Sequence, residues 1–203
     1  MTTDLCLATV GHGTADAAPF ADLLRGAGIA LVADVRRYPG SRRHPHFGRE
    51  VMGEWLPGAG IAYRWFPSLG GRRRGRPGSP NLGLRNEQFR AYADHMATDE
   101  FTRGVEELLA AAREVERGAA ATREVETRGG AAGGAATGAP GASVAVLCAE
   151  TVWWRCHRWL LADHLVLVEG VEVRHLRHDG GWDPHPVTPE ARRADGHVVY
   201  DRV

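Results

Sequence analysis

The sequence predicts an α/β fold in three layers, a mainly parallel sheet with helices on both faces. Two observations carry this reading. The strand candidates at residues 5–10, 29–33 and 144–148 are short, continuously apolar runs. Continuous apolarity marks strands buried on both faces, as against the in-out alternation of a half-solvated sheet. Between these runs lie segments with apolar residues at helical spacing, so strand, helix and strand alternate as in βαβ units.

Residues 5–10 form the first strand, which ends at Gly11, His12, Gly13 and Thr14. Thr14 or Asp16 caps the next helix, which carries Phe20, Leu23, Leu24 and Ala27 on one face and stops at Gly28. Residues 29–33 make a second strand, closed by Asp34, Arg36 and Arg37. Residues 38–47 contain too many turn formers for a regular element and too many cations for an idle loop. A short helix fits residues 48–56, and residues 61–66 read as a third strand. A basic loop with Arg72, Arg73, Arg74 and Arg76 follows. Phe89, Tyr92, Ala93 and Met96 make one helical face, and Phe101, Val105, Leu108 and Leu109 make another.

Residues 118–142 are almost entirely Ala, Gly, Thr, Arg and Glu, a composition that buries too little apolar surface to offset the entropy of ordering. They are expected to be a disordered insertion. The sheet resumes at residues 144–148, a helix follows at 155–168, and the last strand is at 171–176. The expected organisation is one α/β domain over residues 1–178 and a tail over 179–203, in which Val198, Val199 and Tyr200 read as an edge.

Composition excludes several classes. At 203 residues, 43% hydrophobic and 25% charged, the chain falls in the globular range. All 25 basic residues are arginine, balanced by 25 acids, so no global field points to nucleic acid. No run approaches the roughly 18 apolar residues of a membrane span, and no secretory signal is expected from the first residues. A cytoplasmic location is expected, with the three cysteines free, metal-bound or redox-active and not in structural disulfides. Locally the balance breaks. From Arg36 to Arg76 there are ten arginines and two acids, Glu50 and Glu54. Interleaved with Tyr38, Phe47, Tyr63 and Trp65, they suit either an anionic ligand or a nucleic-acid backbone with stacking platforms.

Chemistry concentrates at the strand ends, where ligands gather in parallel sheets. Cys148 and Glu150 close one strand, and Cys156, His157 and Arg158 open the next helix. An anion-cradling catalytic thiol is a weak fit, because residues 149–155 contain no glycine, two tryptophans and a repelling glutamate. A zinc site from Cys148, Cys156 and His157, with His12 as a fourth ligand, has suitable donors. Against it, neighbouring side chains on a helix diverge by about 100 degrees. A third reading makes Asp34 and Glu150 the working carboxylates, with Arg36, His157 and Arg158 holding an anion. Gly11, His12 and Gly13 do not extend to a dinucleotide fingerprint, because its third glycine falls at Asp16.

Taken in order, these stretches resemble a known family. Thr9 to Thr14, Asp34 to Arg42 with Pro39 and Ser41, His46 and Phe47, Gly60 to Tyr63, Leu69 to Gly71, the helix from Tyr92 to Met96, and Cys148 to Asp163 are similar to the bacterial family called domain of unknown function 488. The resemblance implies a single cytoplasmic α/β domain and no particular reaction. It marks Gly11, His12, Asp34, Arg36, Ser41, Arg42, Cys148, Glu150, Cys156, His157 and Arg158 as signature positions.

The expected function is an enzyme, a hydrolase or transferase, acting on a phosphorylated or otherwise anionic substrate, including a nucleotide or nucleic acid. Asp34, Glu150, Cys148, Cys156 and His157 are its catalytic candidates. Gly11, His12, Arg36, Ser41, Arg42 and Arg158 are its substrate-binding candidates. No cofactor is expected, zinc being the alternative. The competing expectations are a nucleic-acid-binding module built on the arginine loops and a thiol redox or metal protein.

Overall fold

The computed structural model describes residues 5–40, 42–128 and 142–201. Six strands form one sheet: β1 (Cys6–Gly11), β2 (Leu31–Asp34), β3 (Ala62–Trp65), β4 (Val144–Cys148), β5 (Glu172–Leu176) and β6 (Trp182–Pro184), in the order β3-β2-β4-β1-β5-β6. All neighbours pair in parallel except β6, which runs antiparallel to β5. This is the mainly parallel sheet the apolar runs predict.

The runs look continuous because each strand feeds two cores. Along β1, Leu7 faces one cluster and Cys6, Ala8 and Val10 face the other; along β4, Val144 and Val146 divide from Ala145 and Leu147 in the same way. One cluster is closed by Phe20 and Leu24 of helix α1 (Ala17–Gly26) and by Met52 and Leu56 of α2 (Arg49–Gly58). The other is closed by α3 (Glu87–Met96), α4 (Asp99–Arg128) and α5 (Arg158–Leu167). Helices therefore cover both faces, giving three layers.

Local chemistry sets the ends. Asn86 caps α3 by accepting from the Gln88 and Phe89 amides at 2.8 and 3.3 Å. Asp16 is the cap residue of α1, but its side chain makes no capping hydrogen bond. The helix expected from residue 155 starts later. A 3-10 turn at Trp153–Arg155 comes first, and Cys156 is extended (φ −127°, ψ 150°) before α5 begins.

Two expectations about organisation meet a different structure. Helix α4 runs to Arg128, so the first part of the Ala/Gly-rich stretch is helical, while 129–141 lie outside the described residues. Ala119, Ala120 and Ala121 explain this: alanine is the strongest helix former, and continuing an existing helix avoids the cost of nucleation. The segment after residue 178 is built into the fold. It supplies β6 to the main sheet and a hairpin of β7 (Ala191–Ala194) and β8 (His197–Tyr200). Asp163, wholly buried on α5, receives hydrogen bonds from His185 Nε2 (3.0 Å), the Thr188 amide (2.9 Å) and hydroxyl (2.5 Å) and Tyr200 Oη (2.9 Å). Val198 and Val199 are buried beside it in the chain, and the edge expected there is one strand of this hairpin.

Among the described residues no helix is long and apolar enough to cross a membrane.

Candidate functional site

β4 lies between β1 and β2, so the ends of three parallel strands meet side by side, with Gly11 opposite Cys148 and Asp34 opposite Leu147. A chain that places β2 two positions from β1 leaves a crevice beyond those ends, the usual ligand position of open α/β sheets. A cavity of about 880 Å³ opens there.

One wall holds the sulfurs. Cys148 and Cys156 are both free thiols and both buried. His157 Nδ1 lies 3.8 Å from Cys148 Sγ and 3.6 Å from Cys156 Sγ. Arg158, 1% exposed, donates from Nε to Cys156 Sγ at 3.4 Å and from a terminal nitrogen to the Glu150 carbonyl. The two thiols titrate as a pair. Cys148 is pushed up, first by the proton it shares with Cys156 and then by burial. Burial opposes the charge on Cys156, but the Cys148 contact, His157 and Arg158 outweigh it and hold this thiol well below its usual range. The extended Cys156 followed by helical His157 (φ −58°, ψ −16°) brings both side chains to the same place, which two successive residues on a regular helix cannot do.

Glycine makes room for this wall. A Cβ on Gly71 would sit 2.9 Å from His157 Nδ1, and one on Gly11 would overlap the Glu150 carbonyl oxygen. The Tyr92 ring stands 5.0 Å from the imidazole on a further side.

The adjoining wall is a buried network. Asp34 is fully buried and accepts from the Arg36 amide (3.0 Å), Arg36 Nε (2.9 Å), Arg36 Nη2 (2.6 Å) and Tyr63 Oη (2.8 Å). Arg36 also contacts His12, with Nη1 3.1 Å from Nε2. His12 Nδ1 lies 3.0 Å from the Gly13 carbonyl, so Nδ1 carries the proton and Nε2 accepts from Arg36. Burial first, then Arg36, lowers the His12 pKa to about 4, which keeps the ring neutral.

This geometry revises several candidate roles. Asp34 is absent from the cavity lining, and Arg36 and Tyr63 occupy its acceptor directions, so it positions Arg36. His12 has both nitrogens engaged and does not serve as a fourth metal ligand. Arg158 and Gly11 shape the sulfur wall from behind, since neither lines the cavity. Arg42 is exposed and also outside the lining, and Ser41 falls outside the described residues. Cys148, Glu150, Cys156, His157, His12 and Arg36 do line it.

The arginine loops divide in the same way. Arg37, Arg43, Arg72 and Arg155 line the cavity, and among the described residues none of the four is in an ion pair. Arg73 turns inward, donating to the Gly70 and Ser68 carbonyls at 2.8 Å each and to Glu100 at 3.0 Å. Arg76 faces Asp94 at 3.6 Å. Phe47 is completely buried and Tyr63 is tied to Asp34, so neither is a stacking platform; Tyr38, 65% exposed, stands at the rim. Sequence reading missed Arg37, Arg43, Arg72 and Arg155 as pocket residues. Three sit in arginine clusters and Arg155 just before Cys156, and nothing in a doublet such as Arg42 and Arg43 tells which member turns inward. The Leu69–Gly71 motif and the Tyr92 helix were visible as signals, but not what they touch.

Fold and site together define an α/β protein with one arginine-rimmed, sulfur-walled cavity at the ends of its parallel strands. The chain belongs to the family described as Domain of unknown function DUF488, whose model matches residues 16–119. That span includes Asp34, Arg36 and the arginine loops; His12 and the wall from Cys148 to His157 lie outside it. No curated protein and no solved structure matches the chain.

Proposed function

We propose that the protein is an enzyme that acts on a phosphorylated or otherwise anionic small molecule, by hydrolysis or group transfer, inside this cavity. The observation that supports it is the charge of the lining: Arg37, Arg43, Arg72 and Arg155 converge on one space with one acid, Glu150, among the described residues. Guanidinium groups hold phosphate and carboxylate oxygens in a planar fork and keep their charge at any physiological pH. Arg36, already neutralised by Asp34, contributes to the wall more than to the anion.

Roles follow from position. These four arginines grip the anionic group at the rim. Glu150, exposed at the lip, exchanges protons with the substrate. Cys148, Cys156 and His157 form the floor on which the reacting centre rests. Phe89 and Tyr92 add aromatic faces, which suits a substrate with an anionic head and a flat apolar body, such as a nucleotide. The volume favours a small molecule over a polymer, since pockets of about 300–1,000 Å³ enclose ligands of that size.

Calorimetric titration of the reduced, metal-free protein with inorganic phosphate, a nucleoside monophosphate and a short single-stranded oligonucleotide tests this. The nucleotide should bind most tightly, and Arg43→Gln and Arg72→Gln should each weaken it about tenfold, the loss of one charge-assisted hydrogen bond of about 1.5 kcal/mol. Affinity unchanged in both variants would remove the reading. An oligonucleotide that binds best with a steep salt dependence would favour the nucleic-acid module instead.

A further inference from the structure

We propose that Cys148 Sγ, Cys156 Sγ and His157 Nδ1 form a three-ligand site for a zinc-class divalent cation, with its fourth position open to the arginine-lined cavity. The three atoms lie within 4.8 Å of one another. The two sulfur–nitrogen separations are 3.6 and 3.8 Å. A tetrahedral zinc with Zn–S of about 2.3 Å and Zn–N of about 2.05 Å places sulfur and nitrogen about 3.6 Å apart. The spacing is therefore already that of a ligand set.

Chemistry agrees with distance. An imidazole nitrogen has one in-plane lone pair and accepts one good hydrogen bond, yet two sulfurs converge on this one. A cation at their common focus satisfies all three donors. Two thiolates, a neutral imidazole and a dication sum to zero charge, which suits a buried position better than a lone thiolate does. Around the ligands, Arg158 donates to Cys156 Sγ, Gly71 leaves room for the imidazole, and the Tyr92 ring packs 5.0 Å from it. Such surrounding contacts orient ligands and tune the metal. The objection that adjacent Cys and His diverge is met by the extended backbone at Cys156. All three ligands also line the cavity, so a bound substrate oxygen or a water has access to the remaining position. Three protein ligands with one open position are the pattern of catalytic zinc sites. That task in the reaction rests on the anionic-substrate reading; the metal site itself does not.

The test uses the full chain, purified with reductant and without chelator, and titrated with Co²⁺ alone. One equivalent should bind, with near-ultraviolet thiolate-to-cobalt charge transfer and the visible bands of a tetrahedral ion. Cys156→Ser should lose the charge-transfer band and stoichiometric binding. X-ray absorption of the Zn²⁺-loaded wild type gives the answer even where a cysteine variant fails to fold: the first shell should hold two sulfurs with nitrogen or oxygen completing it. A shell without sulfur, or no binding by protein whose thiols are shown to be reduced, would overturn the site. Because phosphate and nucleotide titrations are made on metal-free protein, either reading can fail without the other.

Discussion

Gly71 and Arg72 stand side by side on the pocket wall and do opposite things to the backbone. Gly71 is required by space: any side chain there meets the His157 ring. Gly71→Ala should destabilise the protein by about 1–3 kcal/mol, the usual cost of overpacking, seen as a lower urea midpoint. Gly58→Ala is the control. A Cβ there meets nothing within 4 Å, so the midpoint should hold or rise slightly. Arg72 occupies the left-handed region at φ 57°, which costs a non-glycine residue about 1 kcal/mol or more. That strain sits at the cavity and keeps a guanidinium on its lining. Arg72→Gly should therefore unfold at a higher midpoint than Arg72→Ala, while both lose nucleotide affinity to the same extent. Equal midpoints would mean that the left-handed conformation at Arg72 stores no strain.

At the scale of elements, α5 links two jobs. Its first turn contributes Arg158 to the sulfur wall, and its Asp163 gathers the C-terminal segment through four hydrogen bonds from His185, Thr188 and Tyr200. Removing that carboxylate orphans buried donors, each at about 1–3 kcal/mol. Asp163→Ala should lower stability by about 3 kcal/mol or more and open residues 179–201 to protease, with Asp163→Asn milder because its amide oxygen still accepts from some of these donors. Cleavage no faster than in the wild type would show that the hairpin holds itself.

For the whole molecule, four buried histidines, His12, His95, His164 and His175, shape the acid response. Burial leads the cause in each case, helped by neighbouring cations: His12 and His164 fall to about 4 and His175 to about 3, from 6.5. Between those values the unfolded chain binds protons that the folded chain does not. Stability is therefore full above pH 6.5 and falls as pH drops toward 4, on the order of 2 kcal/mol for each of His12, His164 and His175. Urea midpoints at pH 7 and pH 5 should differ accordingly, and equal midpoints would refute it.

The layers of this fold were legible because continuous apolar runs such as Val144 to Leu147 must be shared between two cores. The strand-end residues Cys148, Glu150, Cys156 and His157 were legible as one site because chain order places them on adjacent elements. Side-chain direction was not. Asp34 looks like a catalytic acid until Arg36 and Tyr63 are seen around it, and Arg73 looks like its neighbours until it turns onto backbone carbonyls. Such facts depend on long-range packing and leave no local pattern. The C-terminal segment was hidden for the same reason, since its anchor, Asp163, lies about 20 to 40 residues away.

The most direct measurement is a crystal structure of the reduced protein with tungstate, a heavy phosphate mimic located by its anomalous signal. A single strong peak among Arg43, Arg72 and Arg155, above the wall of Cys148, Cys156 and His157, is the predicted result. Tungstate bound only at arginines outside the cavity, such as Arg42 or Arg64, would contradict the account.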